Sequence, residues 1–174
     1  TYKRCIFVNN TYEAGIFAAD ESIHNYEDCL VAGNRPFEQI WQSNHSKVNF
    51  ANCVISGGND SLPILKVSSG SACFKNCTIT DAASICSVAE SSTASIYFEN
   101  CVFARCKDFF IDLPGAFKER FYLKGNLYTG KTGNIVSKKT YTAENWKDYL
   151  GLKIESDSEF REIELTGPLK TEMP

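Results

Sequence analysis

Five cysteines, Cys5, Cys29, Cys53, Cys77 and Cys101, succeed one another at intervals of 24 residues. An interval kept this strictly points to a repeated structural unit, because unrelated turns and helices do not hold a common length. One further step lands on Gly125, which extends the register to six units. Other columns keep the same step. Three residues before each cysteine position stand Tyr2, Tyr26, Phe50, Phe74, Phe98 and Tyr122, all aromatic. Two residues after it stand Phe7, Val31, Ile55, Ile79, Phe103 and Leu127, and five before it stand His24, Val48, Ala72, Ile96 and Arg120.

The columns dictate a shape. Side chains alternate faces along a strand, so positions −5 and −3 share one face and positions 0 and +2 share another. Positions −3 and 0 differ by an odd number yet both are apolar, so the chain bends between them. The residue at the bend reads Arg4, Asp28, Asn52, Asn76, Asn100 and Lys124. Asn is the non-glycine residue best suited to the left-handed region, and stacked Asn amides can bond along the ladder. A third strand is visible in Ile16, Ile40, Ile64 and Val88, eleven residues after the cysteines, with Ile111 or Leu113 continuing it. Three short strands per 24-residue coil describe a right-handed parallel β-helix, an all-β solenoid of about six rungs. At ~4.8 Å per rung it spans roughly 29 Å. The stretches Gly57-Gly58-Asn59-Asp60 and Ser68-Ser69-Gly70 suit the intervening turns.

The phrases KVNFANCVI (47–55), ACFKNCTI (72–79) and SIYFENCVF (95–103) resemble the Phe-x-Asn-Cys rungs of the pectate-lyase-like β-helix superfamily. The resemblance covers residues 1–128. It implies the fold directly, whereas the superfamily's lyases, hydrolases, epimerases, tailspikes and adhesins leave function open. After residue 128 the period is lost. Thr142, Glu144 and Gly151 carry the signals of a short capped helix near 142–150, with Trp146, Tyr149 and Leu150 on one face. The segment 129–174 is therefore expected to cap the open end, and the stretch 140–160 is similar to the segment after the last rung in secreted bacterial β-helix proteins. At the other end Tyr2 already lies in the repeat, so upstream rungs or a second chain are expected to cover that edge.

Composition narrows the function classes. The net charge is −3 and charges of both signs are dispersed along the chain, so no basic run suggests nucleic acid or an anionic membrane. No apolar run reaches the ~20 residues of a membrane span. The eight cysteines include no C-x-x-C pair, and His24 and His45 fall in no ligand spacing, which argues against a metal site. The ladder thiols read as a buried column of free cysteines, while Cys73, Cys86 and Cys106 lie off the ladder and leave room for one bridge. A serine in that ladder is expected to bury an unpartnered hydroxyl. Asn9, Asn44, Asn59 and Asn76 begin Asn-x-Ser/Thr sequons, but Asn76 sits in the bend ladder, where a glycan would clash.

A uronate lyase needs a cation held by stacked carboxylates and a Lys or Arg as base. No column here stacks two carboxylates, although Glu38, Asp60, Asp81, Arg105, Lys107 and Asp108 lie near Gln42, Lys66 and Glu90. No catalytic residue is assigned on this basis, no cofactor is implied, and calcium would require an acidic site on upstream rungs. A second column beside the third-strand core holds Phe17, Trp41 and Leu65. If it faces outward, it offers one apolar side chain per rung to a sugar ring, with Lys66 and Glu90 beside it. The expected function is a polysaccharide-binding module of an extracellular or cell-surface bacterial protein, with a polysaccharide lyase or glycoside hydrolase as one form of the parent. The alternative is a structural or adhesive module.

Overall fold

The computed structural model describes residues 1–10, 16–18, 21–33, 40–42, 45–57, 63–88, 91–106, 108–111, 120–129, 134–136, 139–141 and 155–161. Three parallel sheets run along one axis. The first contains Tyr2–Lys3, Ile23–Glu27, Lys47–Ala51, Ser71–Lys75, Ser95–Glu99, Phe121–Lys124 and Glu155–Ser156 in spatial order. The second stacks Ile6–Val8, Leu30–Ala32, Val54–Ser56, Thr78–Thr80, Val102–Ala104, Leu127–Tyr128 and Glu159–Phe160. The third holds five strands, Ile16–Ala18, Ile40–Gln42, Pro63–Val67, Ser84–Val88 and Asp108–Ile111. Strands from successive coils pair in parallel throughout these sheets, as a β-solenoid requires. A separate antiparallel pair joins Asn134–Val136 to Lys139–Tyr141.

The bend between the first and second sheets is where the sequence placed it. Arg4, Asp28, Asn52, Asn76 and Asn100 all have φ between 53° and 56°. A left-handed residue in each coil turns the strand without breaking the stacking above and below it. The Asn76 amide donates to Asn52 Oδ1 and the Asn52 amide to Asp28 Oδ1, both at 3.3 Å. A second bend, after the second sheet, uses Asn9, Gly33, Asp81 and Arg105, again at positive φ.

Inside, like stacks on like. Tyr2, Tyr26, Phe50, Phe74 and Phe98 lie ring over ring, with centroids 5.0, 4.7, 5.1 and 4.8 Å apart. Val48, Ala72 and Ile96 pack beside them, and Val31, Ile55, Ile79 and Phe103 fill the second sheet's inner row. Each fully buried aromatic or aliphatic side chain stabilises the coil by ~1.5–3 kcal/mol. The core is therefore a set of apolar rows running the length of the solenoid.

Two registers differ from the sequence expectation, for one physical reason: turn length varies while strand pairing does not. In the sixth coil one residue is inserted. Gly125 takes the bend position with φ +62°, and Asn126 occupies the cysteine slot. Leu123 faces Phe98, Phe121 faces Ile96 and Tyr128 faces Phe103. Tyr122 consequently lies on the outside instead of in the aromatic core. In the third sheet, Ile40 comes eleven residues after Cys29, Leu65 twelve after Cys53, and Cys86 nine after Cys77. These three share one row with Ile16 and Phe110, so Ile64 and Val88 do not extend the Ile16–Ile40 row. Ile111 pairs with Ser87.

The solenoid also continues past residue 128. Glu155–Ser156 and Glu159–Phe160 add a seventh strand to the first two sheets, with Asp157 at the bend and Ser158 in the cysteine slot. The helix expected near 142–150, like Leu113, lies outside the described residues.

Candidate functional site

All eight cysteines are free thiols, including Cys73, Cys86 and Cys106. The ladder sulfurs bond to the backbone. The Cys29 N–H donates to Cys53 Sγ, and the Cys53 thiol donates to the Ala51 carbonyl at 3.2 Å and the Tyr26 carbonyl at 3.6 Å. A hydrogen bond to Cys101, together with burial, pushes the Cys77 thiol up to about 12, and burial pushes Cys106 up to about 12. Burial alone raises Cys86 and is the main cause raising Cys73, while the Cys77 contact and burial raise Cys53. Such thiols stay protonated at neutral pH and make poor nucleophiles. Among the described residues no group of three or more His, Cys, Asp or Glu is placed to hold a metal ion, and no helix is long and apolar enough to cross a membrane.

The row chosen from the sequence is altered by the register. Phe17 pairs with Trp41, and Trp41 pairs with Lys66. Leu65 belongs to the neighbouring inner row, opposite Ile40, and is fully buried. It therefore cannot present an apolar face to a ligand. The error is the single extra residue in the turn after Cys53. Lys66 itself is exposed, and the row continues to half-buried Ser87. The Phe17 and Trp41 side chains, and Glu90 altogether, lie outside the described part of the structure. Glu38, Asp60 and Lys107 do so as well.

Asp81 and Arg105 meet at the second bend, one coil apart. The guanidinium donates from Nε to Oδ1 at 2.5 Å and from Nη2 to Oδ2 at 2.7 Å, while Thr80 Oγ1 also donates to Oδ2. The Arg105 bonds hold the Asp81 carboxyl below the usual carboxylate range. A carboxylate occupied by two guanidinium bonds is poorly suited to general-base work, so this pair reads as a clamp between coils.

The outer face of the first sheet was not singled out by the sequence. Tyr97 and Tyr122 are 38% and 43% exposed and stack with centroids 4.5 Å apart and planes 4° apart. Half-buried Cys73 precedes them in the row, and beyond it along the axis come Asn49 and Asn25, whose amides bond at 2.8 Å. The signal that could have found this face was the one-residue insertion before Gly125, which turns Tyr122 outward.

Among the described residues, five complete three-strand coils, a left-handed bend in each and rows of like side chains define a parallel β-helix. The chain belongs to the right-handed β-helix family, whose pattern, described as the right-handed beta helix region, matches residues 1–147. Among curated proteins and solved structures none matches it significantly.

Proposed function

We propose that this β-helix module binds polysaccharide, as part of a secreted or cell-surface protein. The observation that carries the reading is the register of the third sheet, which sets Phe17, Trp41 and exposed Lys66 in one row across three adjacent strands. Neighbouring members lie ~4.8 Å apart along the axis, close to the length of one sugar residue in an extended chain. Trp41 supplies the largest ring for stacking on a sugar, and Lys66 supplies a charge for a carboxylate or sulfate. The test is a glycan array and a melting curve on Trp41→Ala and Lys66→Gln. Loss of binding with an unchanged melting temperature supports the row. A large loss of stability in Trp41→Ala, or no binding by the wild-type chain to any neutral or acidic glycan, overturns it.

A second reading, a structural or adhesive module, has its own observation. Tyr2 and Ile6 of the first coil and Ile23 of the second are 42%, 46% and 62% exposed. These apolar side chains beside strand edges suit a second chain packed against them. Concentration-dependent association in sedimentation, suppressed by Ile6→Lys, would favour this reading. A monomer at high concentration would count against it.

A further inference from the structure

The chain carries a net charge of −3, yet the fold gathers an excess of positive charge on one surface. Four strands of the first sheet, Lys47–Ala51, Ser71–Lys75, Ser95–Glu99 and Phe121–Lys124, present their alternate residues outward. Lys47, Lys75 and Lys124 are exposed there; Arg120, immediately before the fourth strand, is exposed as well, with its guanidinium donating to the Ser92 carbonyl at 2.9 Å. Half-buried Glu99 is the one acidic residue among the described outward positions of these strands; it pairs with Lys75 at 3.3 Å and is the register partner of Lys124. These basic residues are spread from position 47 to position 124 in the sequence, and the solenoid brings them onto one flat face. The exposed Tyr97–Tyr122 stack lies among them.

We infer that this outer face of the first sheet is a second binding surface, separate from the Lys66 row, and that it takes an anionic polysaccharide. Three observations fit that occupant. Four basic groups against one acidic group set the charge, and a flat sheet face accommodates an extended chain. The register supplies the spacing: Lys75 and Lys124 lie two coils apart, ~9.6 Å at strand spacing, which matches about a disaccharide repeat. The tyrosines decide between a glycan and a single-stranded nucleic acid. Base recognition by stacking needs an open aromatic face. Here each ring closes one face of the other and Cys73 is the next residue in the row beyond Tyr97, so at most one ring face of the pair is left for stacking, while its edges and hydroxyls suit sugar hydroxyls, sulfates and carboxylates.

The test uses the full chain with heparin, polygalacturonate, a neutral glucan and a single-stranded oligonucleotide as probes, in titrations at low and high salt. The sulfated and the carboxylated probe distinguish the two sources of anionic charge. Binding to at least one of them, weakened by salt as exposed charge contacts are, is expected. Lys124→Glu and the double variant Tyr97→Ser, Tyr122→Ser should each weaken it by about tenfold or more. Arg161→Glu, an exposed charge reversal just past the last strand of the second sheet, should leave it unchanged. Lys124→Glu is an exposed substitution and keeps the test valid even if the tyrosine variant loses stability. Absence of binding to both anionic glycans overturns the inference. Equal or tighter binding of the oligonucleotide also overturns it, as does an equal loss of anionic binding in Arg161→Glu and Lys124→Glu. Loss of neutral-glucan binding in Trp41→Ala, or of the anionic binding left in Lys124→Glu when Lys66→Gln is added, bears on the Lys66 row and leaves this surface standing.

Discussion

The Ser158 hydroxyl accepts a hydrogen bond from the Asn126 N–H at 2.8 Å, in the place where the Cys29 and Cys53 thiols serve the coil before them. Asn126 does the same for Cys101, accepting from its N–H at 2.9 Å, and its amide donates to the Phe98 carbonyl as the thiols donate to theirs. The slot therefore has a defined chemistry. It needs a small side chain with an acceptor for one backbone N–H and a donor for a carbonyl, and Cys, Asn and Ser each fill it. The unpartnered hydroxyl expected for a serine in the ladder does not arise.

Cys53→Ser should accordingly cost no more than about 1 kcal/mol, because the hydroxyl inherits the Cys29 N–H and the Ala51 carbonyl. Cys53→Val keeps the apolar bulk but leaves the Cys29 N–H buried without its acceptor, at about 1–3 kcal/mol. Denaturant unfolding of the two variants decides the order. A serine variant less stable than the valine variant would mean that packing, not hydrogen bonding, sets the identity of the slot.

At the first bend the conformation should matter more than the side-chain ladder. Asn76 holds φ 54°, and its exposed amide bond to Asn52 is long. Asn76→Ala should cost ~1–2 kcal/mol from the left-handed backbone, while Asn76→Gly should be close to neutral. Gly125 adds a steric constraint to the same geometry, since a Cβ there would lie 2.5 Å from Asn100 Oδ1. Gly125→Ala should lower the melting temperature more than Asn76→Ala does. Equal losses for Asn76→Ala and Asn76→Gly would assign the effect to the hydrogen bond instead.

Legibility from sequence divided along the same line. Through the first five coils the first two sheets keep one interval and one bend length, so Tyr26, Phe50, Phe74 and Phe98 were readable as a stack. The third sheet comes after turns of variable length, and Leu65 was assigned outward because one inserted residue moves a strand by a full change of face. A separate inserted residue, in the sixth coil, moves Tyr122 out of the aromatic column and sets it beside Tyr97. The slots of the sixth and seventh coils were unreadable because Asn126 and Ser158 share hydrogen-bonding chemistry with cysteine but not its identity. The charged face was invisible because Lys47, Lys75, Arg120 and Lys124 are neighbours only through the coil stacking.

Stability should fall in acid partly through Asp81. Its folded carboxyl is held below the ordinary value by the Arg105 guanidinium, so the unfolded chain takes up the proton first as pH drops. The Asp81–Arg105 contribution is present above the unfolded value of about 4 and is lost as pH falls through the lower folded value. The pair is about a third exposed, and solvent screening limits it to ~1 kcal/mol or less. Melting temperatures of the wild-type chain and Asp81→Asn, which keeps a side chain tolerant of φ 55°, should differ at pH 7 and converge below about pH 4. A constant gap across that range would show that Asp81 acts through its backbone conformation alone.

The thiols offer the most direct check on the interior. Cys29, Cys53, Cys77, Cys86, Cys101 and Cys106 are buried, whereas Cys5 and Cys73 are partly exposed. Reaction with a thiol-directed dye requires both access and thiolate, and burial raises Cys73 as well. At neutral pH the folded chain should therefore label slowly at Cys5 and Cys73 and hardly at all at the other six. Denaturant should release all eight together, since the ladder spans the coils and opens only when they separate. Peptide mapping of the labelled chain locates the sites. Fast native labelling of Cys53 or Cys77 would show that the coils separate locally and that the stacked rows do not hold the solenoid as one cooperative unit.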